Sequence, residues 1–185
     1  ITVRTLTFDH IDMQHKVPGF EPQRFEFAGS SIGLTLINGS VNFATKPLWT
    51  SASPLTISAP SGTNTIRELT GNQGPPTTIE VAEGSSLQIA DGGCLGSGCP
   101  GDSSRLQFVT SPNTADIEGT LDIFRSHVIF PTGDGEILVR DTGELLISGS
   151  NNTVLETGTV TVEGGSLTLG TGENFLEADT LNFDS

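Results

Sequence analysis

A short apolar phrase returns along this chain at intervals of roughly 22 residues. Leu121 and Leu145 are 24 residues apart, and Leu145 and Leu167 are 22 residues apart. A fixed period of this size indicates a solenoid, because one repeat cannot bury its apolar face without stacking on its neighbours. Each phrase starts with glycine and continues in apolar–polar alternation: Gly84–Ile89, Gly119–Ile123, Gly143–Ile147 and Gly165–Leu169, with an earlier echo at Gly39–Phe43.

The residues around each glycine predict the shape of one repeat. Apolar and polar residues alternate before Gly164-Gly165, in Val160-Thr-Val162, and again after it, in Leu167-Thr-Leu169. Such alternation predicts two short strands with one face inward, and glycine suits the corner between them because it reaches positive φ without steric cost. We therefore predict an all-β fold, a right-handed parallel β-helix of about seven to eight turns of roughly 22 residues.

The period also predicts which side chains form the core. Leu121, Leu145 and Leu167 should lie one above another, and Val41 precedes Leu87 by 46 residues, or two turns of 23. The predicted inward-facing residues are Val81, Leu87, Ile89, Leu121, Ile123, Val139, Leu145, Ile147, Val160, Val162, Leu167 and Leu169.

One interval is too long for a single turn. Leu87 and Leu121 are 34 residues apart, and the interval holds a glycine- and proline-rich stretch with both cysteines of the chain. A solenoid extrudes an insertion from a corner and keeps its register on either side. The predicted organisation is an irregular N-terminal strand with a cap or insertion over 1–31, and β-helix turns over 32–185 with a loop insertion at 91–104. Asn174–Asp179 is the best helical candidate.

Cys94 and Cys99 enclose Leu-Gly-Ser-Gly in this insertion. Two thiolates do not complete a metal site, and the spacing is not that of a redox motif. The preferred interpretation is a disulfide that fixes the shape of the loop, which fits an extracellular compartment; the alternative is a pair of free thiols. A loop held in one shape suits a binding surface, and Leu95 and Asp102 of this loop are candidate contact residues.

Trp49 is a further candidate for the binding surface. A tryptophan near a corner either stacks on a sugar or packs against the solenoid. His10, Asp12 and His15 have residue types that bind metals, but three polar side chains in an irregular segment are more often solvated, and we predict no metal or cofactor site.

Composition excludes some classes of partner. The net charge is −14, with only eight Lys and Arg residues, which argues against nucleic acid or an anionic membrane surface. No apolar run approaches the roughly 18 residues that span a bilayer.

The chain opens on strand-like alternation, and Leu176, Leu181 and Phe183 alternate at its end without a capping segment. We therefore expect a piece of a longer β-helix, or one that meets another chain end to end.

The phrases Gly119-Thr-Leu-Asp-Ile, Gly143-Glu-Leu-Leu-Ile-Ser-Gly-Ser-Asn-Asn-Thr and Gly165-Ser-Leu-Thr-Leu-Gly-Thr-Gly resemble two families. They are the passenger regions of bacterial autotransporters and the two-partner-secreted adhesins of the filamentous haemagglutinin type. The resemblance covers residues 79 to 183, interrupted by the cysteine loop. It implies a secreted or surface-displayed, outer-membrane-associated adhesin segment that contacts a host or bacterial glycan or protein, or a second copy of itself.

Catalysis and ice binding are the other functions to weigh. The alternative to an adhesin is a carbohydrate-binding or carbohydrate-cleaving β-helix of the polysaccharide lyase or phage tail-spike type, which needs several carboxylates near a basic residue on one face. Strand positions one turn apart lie about 4.8 Å apart, so Glu144 is expected near Asp122 or Ser166. The acids are otherwise scattered, which favours a non-catalytic role. Threonine pairs that could order ice do not recur in every turn.

Overall fold

The structure of the chain is a computed structural model. It describes residues 2–3, 5–9, 12–14, 26–27, 32–42, 48–49, 54–67, 71–73, 76–90, 105–108, 112–130, 135–149 and 153–184. All regular structure in these residues is β-strand, and every strand pairing is parallel. The chain is a parallel β-solenoid.

The strands follow one another in a repeating order of three. The first series contains β1 (Thr2–Val3), β4 (Glu26–Phe27), β7 (Leu48–Trp49), β10 (Gly71–Gln73), β13 (Arg105–Phe108) and β16 (His127–Ile129). The second contains β2 (Thr5–Asp9), β5 (Ile32–Ile37), β8 (Leu55–Ser61), β11 (Thr77–Val81), β14 (Asn113–Ile117) and β17 (Gly135–Val139). The third contains β3 (Asp12–Gln14), β6 (Ser40–Asn42), β9 (Thr63–Arg67), β12 (Ser86–Ala90), β15 (Thr120–Phe124), β18 (Glu144–Ser148) and β20 (Ser166–Leu169).

Two long strands join the first and second series. β19 (Thr153–Glu163) pairs with β16 through its first half and with β17 through its second half. β21 (Asn174–Asp184) lies on β19 along almost its whole length. The result is an eleven-stranded sheet; the third series forms a separate seven-stranded sheet, and β1, β4 and β7 form a three-stranded one. We call the surface of the second series, from β2 to the second half of β21, the second face, and that of the third series the third face.

Pairing along the second face gives the number of turns. Gly33, Thr56, Thr78, Thr114, Glu136 and Thr159 lie in register, one strand above the next. The described residues thus build about five turns between Gly33 and Thr159, and β2 and β21 add one further strand at each end of the second face. This count of about five differs from the expected seven to eight, and the turns are not uniform in length: the interval from Thr78 to Thr114 is 36 residues and that from Thr5 to Gly33 is 28.

The core is an apolar column enclosed by the sheets. Strand burial alternates as expected for a pleated strand with one side inward, for example in β5, β15 and β18. Leu121, Leu145 and Leu167 are in register, as predicted. Ten of the twelve predicted core residues are buried; Leu167 is half-buried and Leu169 is 53% exposed. Both belong to β20, which ends the seven-stranded sheet, so no described strand covers them.

One predicted column is shifted. Val41 pairs with Ile66 and shares the column of Ile89, whereas the residue below Leu87 is Asn64. Val41 therefore does not stack under Leu87, because β6 is displaced by two residues from the position that a uniform period of 23 predicts. Asn64 is fully buried where the repeat elsewhere has leucine.

The long interval leaves the stack in register. Leu87 pairs with Leu121 directly, although the whole insertion separates them in sequence. The insertion at 91–104 is outside the described residues, but the strands on either side of it are continuous with the sheets. The proposed helix at Asn174–Asp179 is wrong: these residues lie in β21, because pairing with β19 overrides a weak local preference.

Candidate functional surface

The residues predicted for binding lie largely outside the described part of the chain. Cys94, Leu95, Cys99 and Asp102 fall within 91–104, so the disulfide and the contact role of this loop stay predictions. Trp49 ends β7, but its side chain is not described.

The same holds for the proposed metal-binding residues of the N-terminal segment. His10 and His15 are not described; Asp12 starts β3 and pairs with Ser40. The described surface must therefore be read from other residues.

Carboxylates gather where the second face meets the third. This corner consists of the short connections 82–85, 118–119, 140–143 and 164–165 together with the strand ends beside them. Two open surface depressions lie along it. We call this surface the acidic corner; its charged residues are Glu80, Glu83, Asp116, Glu118, Arg140, Asp141 and Glu163.

Arg140 pairs with Asp116 on the adjacent turn. Its Nε donates to Oδ1 of Asp116 at 2.7 Å and its second terminal nitrogen donates to Oδ2 at 2.9 Å, a bidentate contact. A terminal nitrogen also lies 4.0 Å from Glu163 on the following turn. The hydrogen bond to Asp116, followed by its charge, raises the pKa of Arg140, with smaller contributions from Glu163 and Glu118. Arg140 thus contacts acids on the turn before its own and on the turn after it.

The corner is tight because its backbones lie close together. A Cβ atom on Gly143 would stand 2.1 Å from the carbonyl oxygen of Ile117. The amide of Gly143 donates to the carbonyl of Arg140 at 2.7 Å, which closes the turn that carries the guanidinium. Ser85 fixes another turn of the corner, since its hydroxyl donates to the carbonyls of Ala59 and Ala82 at 2.6 and 2.7 Å. The side chains of the acidic corner therefore project from a rigid backbone.

The second face carries a column of hydroxyl groups. Its outward positions in register include Thr56, Thr78, Thr114, Thr159 and Thr180, with Glu136 between the third and the fourth. The hydroxyl of Thr114 donates to that of Thr78 at 3.4 Å. We call this set the threonine column. The Thr-x-Thr pair does not recur in every turn, as expected, because the neighbouring column contains Glu80, Asp116 and Leu138.

The third face has a smaller polar group around Asp122. Gln88 donates to one carboxylate oxygen at 2.8 Å and Ser148 donates to the other at 2.7 Å. Glu144 lies in register with Ser166, as one of the expected neighbours, and Asp122 lies beside Leu146. These contacts satisfy Asp122 and join three adjacent strands.

A histidine–carboxylate pair lies on the sheet of β16 and β19. Nε2 of His127 lies 2.5 Å from Oε1 of Glu156, and both side chains are mostly buried, with 20% and 25% exposed. No sequence pattern indicates this pair, since the two residues are 29 positions apart and stand diagonally rather than in register. The Asp116–Arg140 pair is diagonal as well, since Asp116 is in register with Leu138 and Arg140 stands two residues further along the chain.

The described residues contain neither a metal-binding group of side chains nor a membrane-spanning helix. None of their His, Cys, Asp and Glu side chains form a group of three or more that could hold a metal ion. Nor does the described chain contain a helix long and apolar enough to cross a membrane.

Comparisons with known protein families, with curated proteins and with solved structures give no match for this chain. Its fold is therefore established by its own strand pairing. Its function has to be inferred from its surface.

Proposed function

We propose that this chain is a segment of a secreted or surface-displayed adhesin or scaffold, in which the solenoid presents a flat contact surface and performs no catalysis. The partner is a host or bacterial cell-surface glycan or protein. The compartment is the cell exterior, in association with an outer membrane. We also infer a right-handed winding, because parallel strands with right-handed twist are connected in that sense in about 98% of cases.

The observation that carries this proposal is the threonine column. Thr78 and Thr114 are half-buried, their hydroxyl oxygens lie 3.4 Å apart, and as β-branched residues they have few side-chain rotamers. Strands about 4.8 Å apart repeat these hydroxyls along the solenoid axis, and each one both donates and accepts a hydrogen bond. A repeating row of such groups complements the hydroxyls of a glycan chain, and its ordering before contact lowers the entropy lost on binding.

A pair of substitutions on neighbouring strands tests the assignment of the contact surface. Thr114→Lys places a long side chain on the second face beside Glu136. Thr120→Lys does the same on the third face beside Glu144, and both threonines are half-buried in the native chain. The two variants therefore change charge, size and local pairing alike, and differ in the face that they alter.

Binding of the labelled chain to epithelial cells and to a panel of immobilised cell-surface glycans is the measurement. We expect binding by the native chain and by Thr120→Lys, and a loss of about tenfold or more for Thr114→Lys, which corresponds to about 1.4 kcal/mol. The proposal is wrong if the native chain binds none of the surfaces, or if both variants bind as it does.

The acidic corner favours a second candidate, a carbohydrate-cleaving β-helix. Asp116, Arg140 and Glu163 bring two carboxylates and a guanidinium together on one surface, which is the combination expected of such an enzyme. Incubation with acidic polysaccharides, with unsaturated uronate products followed by absorbance, tests this activity. Product formation that is lost in Arg140→Lys supports cleavage, and an absence of product with every polymer supports the adhesin.

A further inference from the structure

The sequence contains a single Asn-Gly pair, Asn38-Gly39, in the connection between β5 and β6. Asn38 is exposed and has a φ of 47°, and Gly62 has a φ of 74° in the corresponding connection of the next turn. Asparagine tolerates this left-handed conformation better than most residues with a Cβ atom, so it can stand at a corner position where glycine is usual. The connection lies where the second face meets the third.

An Asn-Gly pair is chemically labile. The backbone nitrogen of the glycine attacks Cγ of the asparagine side chain; a C–N bond forms, the bond from Cγ to Nδ2 breaks, and the proton of the glycine amide leaves with the departing ammonia. Water then opens the cyclic succinimide at either carbonyl carbon, which gives aspartate or isoaspartate. Glycine favours the attack because it has no side chain to hinder it. The reaction therefore needs only water and a glycine amide that is able to approach Cγ.

The structure engages this amide in a buried hydrogen bond. Gly39 is buried, and its amide donates to Oδ1 of Asn64 at 3.2 Å. Its carbonyl accepts from the amide of Thr65 at 3.0 Å. Both polar groups of Gly39 are thus bound to the next turn, and the nitrogen that would act as the nucleophile has its proton committed to Asn64.

The two asparagine side chains of this corner are themselves held in place. Asn64 is fully buried. Its Nδ2 donates to three backbone carbonyls, at 2.9, 3.2 and 3.1 Å, those of Ser61, Gly62 and Ser86. Asn64 therefore cannot turn away from Gly39 without losing these bonds. Oδ1 of Asn38 accepts from the amide of Thr63 at 3.3 Å, so the carboxamide that would be attacked is also bound to the next turn.

We propose that Asn38 is a modification site, converted to aspartate or isoaspartate through Gly39, and that Asn64 suppresses this conversion in the folded chain. The reaction then proceeds from conformations in which the corner has opened, and its rate follows their population. The product carries a carboxylate on the same edge of the solenoid as the acidic corner. Isoaspartate also lengthens the main chain ahead of β6, which disturbs the pairing of Ser40 with Thr65.

Peptide mapping by mass spectrometry, after incubation at mildly alkaline pH, measures aspartate and isoaspartate at position 38. We expect the native folded chain to react about tenfold or more slowly than the same chain unfolded in denaturant. Asn64→Leu removes the acceptor of the Gly39 amide and should accelerate the reaction by about tenfold while the chain is folded. Asn38→Gly fits the left-handed corner and should give no product in this peptide, which identifies the signal.

Thr153→Val is the matched control for lost stability. It removes buried hydrogen bonds several turns away and leaves the contact between Asn64 and Gly39 unchanged, so Asn38 should react at the native rate. Equal acceleration in Thr153→Val and Asn64→Leu would mean that general stability governs the reaction, and no acceleration in Asn64→Leu would mean that its bond gives no protection. Either result overturns the proposal.

Amide hydrogen exchange of the native chain provides a test that needs no variant. The Gly39 amide should exchange slowly, because its bond to Asn64 has to open first. Exchange at the rate of an unfolded amide would overturn the proposal, and so would a native chain that is modified at Asn38 as fast as the unfolded one.

Discussion

Asp116 and Arg140 lie one turn apart, and the carboxylate of the first accepts two hydrogen bonds from the guanidinium of the second, at 2.7 and 2.9 Å. The side chains of Arg140 and Asp116 are 43% and 44% exposed. The pair therefore orients the guanidinium on the acidic corner more than it stabilises the fold, because exposed ion pairs contribute little free energy.

Asp116→Asn should consequently lower the melting temperature only slightly, and added salt should reduce the difference from the native chain. The raised pKa of Arg140 means that its contribution to stability is complete below the ordinary arginine pKa and is lost only as the pH rises through the raised value. Between about pH 5 and 10 this group should give no pH dependence. Thermal melts over salt and pH check both statements, and a large loss in Asp116→Asn would contradict them.

Leu145 and Leu146 are adjacent on β18 and test which side of this strand faces the core. Leu145 is fully buried between Leu121 and Leu167, whereas Leu146 is half-buried on the outward side. Leu145→Ala should lower the free energy of unfolding by about 2–5 kcal/mol, because it removes core contacts and leaves a cavity. Leu146→Ala should cost clearly less. Chemical denaturation of both variants measures this, and equal losses would mean that the assigned faces are wrong.

Asn64 replaces leucine in the column of Leu87, and a repeat consensus would favour restoring leucine. The structure predicts the opposite outcome. The side-chain amide of Asn64 donates to the carbonyls of Ser61, Gly62 and Ser86, and its oxygen accepts from the amide of Gly39 at 3.2 Å. Asn64→Leu leaves the buried amide of Gly39 without its acceptor and removes three bonds to part-buried carbonyls, so we expect a loss of about 1–3 kcal/mol on denaturation. A gain in stability would show that the column tolerates leucine here.

Two buried threonines on β19 form a contrasting pair. The hydroxyl of Thr153 donates to the carbonyl of Ser148 at 2.7 Å and accepts from the amide of Arg125, whereas that of Thr157 has no hydrogen-bond partner among the described residues. Both side chains are 0% exposed.

Thr157→Val should therefore raise the free energy of unfolding by about 1 kcal/mol, because it replaces an unsatisfied hydroxyl with a methyl group. Thr153→Val should lower it by about 1–2 kcal/mol, since it removes two hydrogen bonds, although the amide of Arg125 still donates to the carbonyl of Ser148 at 3.0 Å. Denaturation of the two variants decides the matter, and the same sign for both would refute the assignment.

The period of the sequence was sufficient to predict the stacked columns of the later turns. Leu121, Leu145 and Leu167 are in register because a solenoid repeats the same strand at the same position in each turn. Counting residues is therefore enough to align them. The count fails at Val41, where β6 is displaced relative to β12. The geometry of the corner before β6 sets that displacement. A corner has no pattern of apolar residues from which the sequence could reveal it.

Surface chemistry was harder to predict than the core. Asp116 and Arg140 meet on a diagonal between strands, and so do His127 and Glu156. In each pair the second residue stands two positions beyond the register partner of the first, so strand register alone predicts neither pair. The exposure of Leu169 was also missed, because alternation indicates which side a residue faces and not whether another strand covers it.

The register of the second face also sets how far the solenoid extends along its axis for each residue in its sequence. Each turn adds about 4.8 Å along the axis whatever its length, so a turn of roughly 22 residues extends the molecule by roughly 0.2 Å per residue. An α-helix gains about 1.5 Å for each residue. The long step from Thr78 to Thr114 advances the axis no further than the shorter step from Thr114 to Glu136. Insertions therefore widen this rod without lengthening it, and its length measures the number of its repeats.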